Sequence, residues 1–297
     1  MPEDPARRPG ASAFEKLAAE LRPKLHRYCA RMTGSVVDGE DVVQDTLIKA
    51  LEALPTTKLD HPEGWLFRIA HNAALDHLRR RARQQATFAD EDLEMIADPN
   101  DPIPGREAAA ASLRTFMRLP VSQRSAIILR DVLGHSVEEV GEVMGTTIPA
   151  VKGALQRGRE RLQELAKESD DSQPPALAPA ERTRLTGYIE RFAAHDFDAI
   201  RAMLADDVRL ELVNRVHMNG KGTVSTYFHR YAEADSWNCV PGLVDGQPAI
   251  LMYRKTDPTG RPEFFILIDW KDGQVAGIRD FLFAPYVMES AEVVALG

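Results

Sequence analysis

The stretch from Leu119 to Leu165, LPVSQRSAIILRDVLGHSVEEVGEVMGTTIPAVKGALQRGRERLQEL, narrows most what this chain can fold into. Ser136 followed by Glu139 forms a capping box, which starts a helix just before the apolar run Val137, Val140, Val143 and Met144. Gly145 can take the left-handed conformation that ends this helix. Thr147 can cap the next helix, with Pro149 in its first turn, where a missing N–H costs little. Ile148, Val151, Leu155 and Leu162 then lie on or near one face. Thr147, Lys152, Gln156, Arg157, Arg159 and Arg161 lie on the other. A short helix, a glycine turn and a second helix that is apolar inside and basic outside suit insertion into a DNA major groove. Gln and Arg can hydrogen-bond base edges, and Lys and Arg neutralise phosphates. The same stripe would also serve as an ordinary solvated face.

The net charge of -8 excludes binding to nucleic acid through bulk charge, so any DNA contact must come from local basic patches. Two cysteines, Cys29 and Cys239, make neither a disulfide framework nor a metal site, and no metal or cofactor is expected. A reducing cytoplasm is the expected location; no signal-peptide pattern or long apolar run points to a membrane.

Ahead of that segment, Met1 to Ser12 reads as a loose arm, and a helical pattern runs from Phe14 to about Leu54, bent or restarted at Pro23. In GEDVVQDTLIKALEAL, Val42, Val43, Thr46, Leu47, Ala50, Leu51 and Leu54 are expected to face inward. Glu40, Asp41, Gln44, Asp45 and Lys49 are expected outside, as a solubilising surface or a docking face. A third helix, His61 to Gln85, carries Trp65, Leu66, Ile69, Ala73, Leu75 and Leu78 for packing. Trp65, Arg68, His71, Asn72 and His77 interleave aromatic, amide and cationic groups that could hold separated DNA strands. The arginines at 79, 80, 81 and 83 fit that reading, or complement the helix dipole.

Three blocks, GEDVVQDTLIKALEAL, GWLFRIAHNAALDHLRRR and the segment from Leu119, resemble in order and spacing regions two and four of extracytoplasmic-function sigma factors of the sigma-70 family. The resemblance implies a bacterial transcription-initiation subunit that is not an enzyme. Its partners would be core RNA polymerase, through the beta and beta-prime subunits, and promoter DNA. An anti-sigma factor or a small-molecule ligand would be further partners. By position, Asp41, Gln44, Asp45 and Leu47 fall in the polymerase-binding block. Trp65, Arg68, Asn72, Asp76, Arg79 and Arg80 fall in the block for the −10 element. Thr147, Pro149, Lys152, Gln156, Arg157 and Arg161 fall in the helix for the −35 element.

The expected division is a helical domain at 14–85, an acidic linker at 86–107, a helix-turn-helix domain at 108–168, a second linker at 169–180 and an α+β domain at 181–297. The first linker either threads the polymerase, as in the family, or is a plain spacer. In the last part, two helices split near His195-Asp196 precede a strand at Val208 to Val213, a helix at Gly222 to Ala232 and strands at Ala249 to Lys255, Glu263 to Trp270 and Val275 to Phe283. An antiparallel, strongly curved sheet with helices is expected. The wording AAHDFDAIRAMLADDVRLEL, with GQPAILMYR and GIRDFLF, resembles the SnoaL-like fold. Some sigma factors carry such an extension as a regulator. Candidate pocket residues are Asn214, His217, Tyr227, Trp237, Tyr253, Asp269 and Arg279. The alternative is a SnoaL-type isomerase or cyclase, or a small-molecule sensor, fused to a DNA-binding helical module. The motifs WLPEP and DGGGK of one sigma subgroup are missing, the nearest stretch being Asn219-Gly220-Lys221-Gly222, so that subgroup's contacts do not transfer.

Overall fold

The computed structural model describes residues 9–57, 60–85, 111–167, 177–233, 236–256 and 260–296, in two compact units, Met1–Asp170 and Asp171–Gly297. The described part of the first unit is helical. It contains α1 Pro9–Thr33, α2 Val36–Ala53, α3 Pro62–Gln85, α4 Leu113–Met117, α5 Val121–Ile127, α6 Val137–Met144 and α7 Ile148–Lys167. A wide π turn, Ile128–Val132, follows α5.

Local chemistry sets the joints. Gly34 breaks α1 at φ 79, and the Ser35 hydroxyl then accepts from the Asp38 N–H to start α2. Gly39 lets α2 lie close on α1: a Cβ there would stand 2.6 Å from the Ala30 backbone nitrogen. One expectation fails here. Pro9–Ser12 belongs to α1 rather than to a loose arm; Pro23 stands inside that helix, which continues to Thr33. A proline at the first helical position removes an N–H that has no partner anyway.

The inward face of α2 is also corrected. Val42, Val43, Thr46 and Ala50 are buried as expected, but Leu51 is 49% exposed, as is its neighbour Ile48 at 55%. Glu40, expected outside, is fully buried and ion-paired with Arg22 of α1. A carboxylate goes inside only with a cation to meet it, and α1 supplies one.

The 86–107 segment lies outside the described residues. On either side of it, the helices share one core, running from Phe14, Leu25 and Tyr28 through Leu66 and Phe67 to Ile127, Val151 and Leu162. Of the 169–180 segment, residues 169–176 are outside the described set, and Pro179 already opens the next helix.

The second unit is α+β. Helices α8 Pro179–Ala193 and α9 Phe197–Met203 precede β1 Leu204–Leu212 and β2 Val216–Asn219. Then come α10 Lys221–Ser225, α11 Phe228–Glu233, β3 Trp237–Val244, β4 Gln247–Arg254, β5 Phe264–Lys271, β6 Gln274–Asp280 and β7 Val293–Ala295. The sheet order is β2-β1-β6-β5-β4-β3-β7. It is mixed rather than antiparallel, because β1 pairs in parallel with β6. A parallel pair needs a long crossover, and everything between Leu212 and Gln274 supplies it. The short edge strands β2 and β7 and the strand β3 lack clear alternation in sequence and were not expected.

Candidate nucleic-acid interface

The helix-turn-helix forms as its sequence dictates. Ser136 Oγ accepts from the Glu139 N–H at 3.1 Å, and Glu139 Oε2 accepts from the Ser136 N–H at 2.7 Å. These hydrogen bonds hold the Glu139 carboxyl below its ordinary range. Gly145 ends α6 at φ 63. Thr147 Oγ1 accepts from the Ala150 N–H at 3.4 Å, capping α7.

On α7, Val151, Leu155 and Leu162 are buried, whereas Ile148 is exposed. Thr147, Pro149 and Lys152 are exposed, and Gln156, Arg157 and Arg161 are half-buried. Gln156 donates to Glu160 at 3.1 Å and Arg161 to Glu164 at 2.8 Å, both within the helix. Such surface contacts contribute about 0–1 kcal/mol, so an incoming phosphate or base edge can replace them. Arg159 is different. It holds Asp131 through two hydrogen bonds, 2.9 and 2.6 Å long, which raise its own pKa, and Asp131 is nearly buried. Arg159 therefore ties α7 to the turn before α6 and leaves the basic stripe.

On α3, Arg68, Asn72, Asp76, Arg79 and Arg80 are exposed along one side, with Trp65 half-buried against Phe14. His71 is corrected. It is only 6% exposed, its Nδ1 lies 2.7 Å from Tyr28 Oη, and burial pushes its pKa down to about 4. His77 is half-buried near Asp38, which also takes Arg81 at 3.3 Å.

The residues expected to face polymerase and those expected to face the −10 element adjoin. Arg80 pairs with Asp45 at 3.3 Å, Lys49 with Asp76 at 3.7 Å, and Arg79 with Asp76 at 3.4 Å. Asp45, Ile48, Lys49, Glu52, Asp76, Arg79, Arg80 and Arg83 line one shallow depression. Asp41, Gln44 and Leu47 are half-buried on the same helix as Asp45. Exposed Ile48 and Leu51 continue this surface with apolar area. Helical spacing assigned Leu51 inward, and only the packing of α2 against its neighbours shows otherwise.

In the second unit the candidate pocket residues do not gather in one place. Asn214, His217 and Asp269 are exposed; Trp237, Tyr253 and Arg279 are half-buried. Asn214, at φ 68, donates to the Phe283 carbonyl at 3.2 Å and to Tyr286 Oη at 2.8 Å. His217, Glu211 and Arg279 occupy one cross-strand row, with Arg279 and Glu211 2.8 Å apart. Tyr227 faces the other side of the sheet. It and Tyr231 donate to the same oxygen of buried Asp280 at 2.6 and 2.7 Å, and the Leu282 N–H donates to the second oxygen at 2.8 Å. Burial, reinforced by the Asp280 charge, pushes both phenols well above their ordinary range. Asp280 was not singled out in sequence; the strand pattern places it but does not reveal its two phenol donors. Among the described residues no cluster of His, Cys, Asp or Glu could hold a metal ion, and no helix is long and apolar enough to cross a membrane.

Residues 17–84 match the family Sigma-70 region 2, and residues 113–162 match Sigma-70, region 4. The ECF RNA polymerase sigma factor SigG of Mycobacterium tuberculosis is 27% identical, over 95% of this chain and 85% of SigG, so the likeness extends through the second unit. SigM of the same species is 34% identical over 52% of this chain and 76% of SigM. Among solved structures, the sigma factor RpoE in complex with the anti-sigma factor NepR from Bartonella quintana aligns with 54% of this chain and 99% of that one, at 27% identity and a TM-score of 0.42.

Proposed function

Because the chain belongs to the extracytoplasmic-function RNA polymerase sigma factors, we propose that it binds core RNA polymerase and directs initiation through the residues described above. Asp41, Gln44, Asp45 and Leu47, extended by Ile48 and Leu51, form the polymerase-docking face. Trp65, Arg68, Asn72, Asp76, Arg79 and Arg80 serve the −10 element. Thr147, Pro149, Lys152, Gln156, Arg157 and Arg161 serve the −35 element. The observation that carries this reading is the exposure of Lys152 on α7 and of Arg68, Arg79 and Arg80 on α3, while Arg159 of α7 is set aside in a pair with the nearly buried Asp131. The chain would act in the cytoplasm, where its polymerase is.

The domains would be 14–85, 108–168 and 181–297. We read the last as a regulatory extension without catalysis. Asp280, the buried carboxylate best suited to acid–base work, accepts three hydrogen bonds in its folded surroundings. An anti-sigma protein or a small ligand would act through this control.

The test is transcription by reconstituted core polymerase, with and without the full chain, on promoters selected from a random library. A shared −10/−35 pattern among the products is expected. No core binding and no added transcript would overturn the reading. Removal of residues beyond 170 should alter the amount of transcript without altering the promoter pattern; unchanged output would remove the regulatory role. Turnover of a small hydrophobic ketone by the full chain, abolished by Asp280→Asn, would restore the isomerase alternative.

A further inference from the structure

Glycines inside two helices of the first unit are explained by what they pack against. A Cβ at Gly39 would meet the Ala30 backbone nitrogen at 2.6 Å, and one at Gly158 would meet Ile127 Cδ1 at 2.5 Å. Gly153 of α7 is different. The nearest atom that a Cβ there would meet is Arg157 Nη1, at 3.3 Å, the far end of a flexible side chain one turn on. No backbone or core atom among the described residues requires a glycine at this place. In a helix interior glycine is less favourable than alanine, so it weakens α7 without a return inside the protein.

Its position gives the reason. The buried residues of α7 are Val151, Ala154, Leu155, Gly158, Leu162 and Leu165. At about 100° per residue they face away from Gly153, which falls in the middle of the outward face. Its neighbours one turn away are Pro149, Ala150, Gln156 and Arg157. Pro149 and Ala150 are exposed, and Gln156 and Arg157 are half-buried. The Gly153 N–H and C=O belong to the helix ladder. What the notch presents is therefore C–H surface: the Gly153 Cα, the Pro149 ring, the Ala150 methyl and the aliphatic stems of Gln156 and Arg157. Such a floor cannot satisfy a donor or acceptor on a base edge. The apolar group that base pairs project into the major groove is the 5-methyl of thymine.

We propose that Gly153 is a specificity-determining residue for promoter choice: its notch receives a thymine methyl group of the −35 element. The inference rests on the sigma-factor reading, with α7 as the helix at −35. A bare backbone also lets α7 lie deeper in the groove than any side chain at this position would permit. The Arg157 guanidinium that rests over the notch leaves it for a phosphate or a guanine edge when DNA enters. Gln156, on the other flank, keeps its amide for an adjacent base.

A size exchange across the interface tests this, with the full chain in reconstituted holoenzyme and a −35 element selected from a random library. Gly153→Ala adds a methyl group to the protein, and deoxyuridine in place of thymine removes one from the DNA. The variant should bind the selected promoter about tenfold more weakly, the cost of one misfitted methyl group. Deoxyuridine at one thymine position should weaken the wild type and restore the variant to wild-type strength on the same DNA. Equal affinity of the two proteins for the thymine promoter, no rescue at any deoxyuridine position, or a selected element without thymine on either strand would overturn the notch. Because alanine favours the helix, the variant should unfold at the same or a higher denaturant concentration. A lower midpoint would show that the fold itself requires the glycine, and would overturn the notch as well. In an Arg157→Ala background the tenfold loss should persist; its disappearance would place the effect in Arg157 instead. Absence of transcript from the unmodified chain would sink the sigma-factor reading itself.

Discussion

Acidification should loosen the helical unit through one side chain. His71 is packed against Tyr28 and Ser125, with the Arg124 guanidinium beyond the tyrosine, and burial holds its pKa at about 4 against an ordinary 6.5. An opened or unfolded chain returns the imidazole to about 6.5. Below that pH the open form takes up a proton that the closed form refuses. Stability attached to His71 is therefore complete above pH ~6.5 and falls away toward pH ~4, where the closed form begins to protonate as well. The full separation corresponds to about 3 kcal/mol, of which about 1.4 kcal/mol is already lost at pH ~5.5. His135, held low by burial, and Glu139, held low by its cap, act in the same direction, so wild type must be compared with His71→Gln. Hydrogen exchange of amides in α1 and α3, corrected for intrinsic rates, reads this unit separately from residues 171–297. Between about pH 7.5 and pH 5.5 the wild-type opening free energy should fall about 1–2 kcal/mol further than that of the variant. Parallel curves would refute the reasoning, as would a His71 ring titrating near 6.5 in the folded protein.

Ser136→Ala removes the acceptor for the Glu139 N–H and should cost about 1 kcal/mol in denaturant unfolding of the helical unit. Arg159→Ala leaves the nearly buried Asp131 carboxylate without its two donors. It should cost about 2–3 kcal/mol of stability with promoter choice unchanged, whereas a shift in promoter choice at full stability would return Arg159 to the reading stripe. Lys152→Ala should weaken promoter binding by about 1–3 kcal/mol if it reads a base; a uniform loss across sequences with a shallower salt dependence would make it a phosphate contact instead.

Much of the helical unit follows from short-range chemistry. Ser136 and Glu139 close their box with residues three apart, Gly145 takes the left-handed turn that few side chains tolerate, and the apolar spacing of Val151, Leu155 and Leu162 selects one face of α7. The three ordered blocks also carried the family, because each can be read without knowing what it packs against. Periodicity says that a face is buried but not by what, and a polar group is buried only where a distant residue satisfies it. Hence Glu40 went inside because Arg22 meets it, Leu51 stayed outside because no helix among the described residues covers it, and Arg159 left the basic stripe for Asp131. The same limit hid Tyr227 and Tyr231 on Asp280, and Ser125 on Tyr28, 97 residues away along the chain. Local sequence thus decided which helices form and which cationic residues proposed to read the promoter they carry. Whether those helices stand apart or share one core was decided only by tertiary packing, since pairing between remote segments depends on complementary surfaces that no single segment contains.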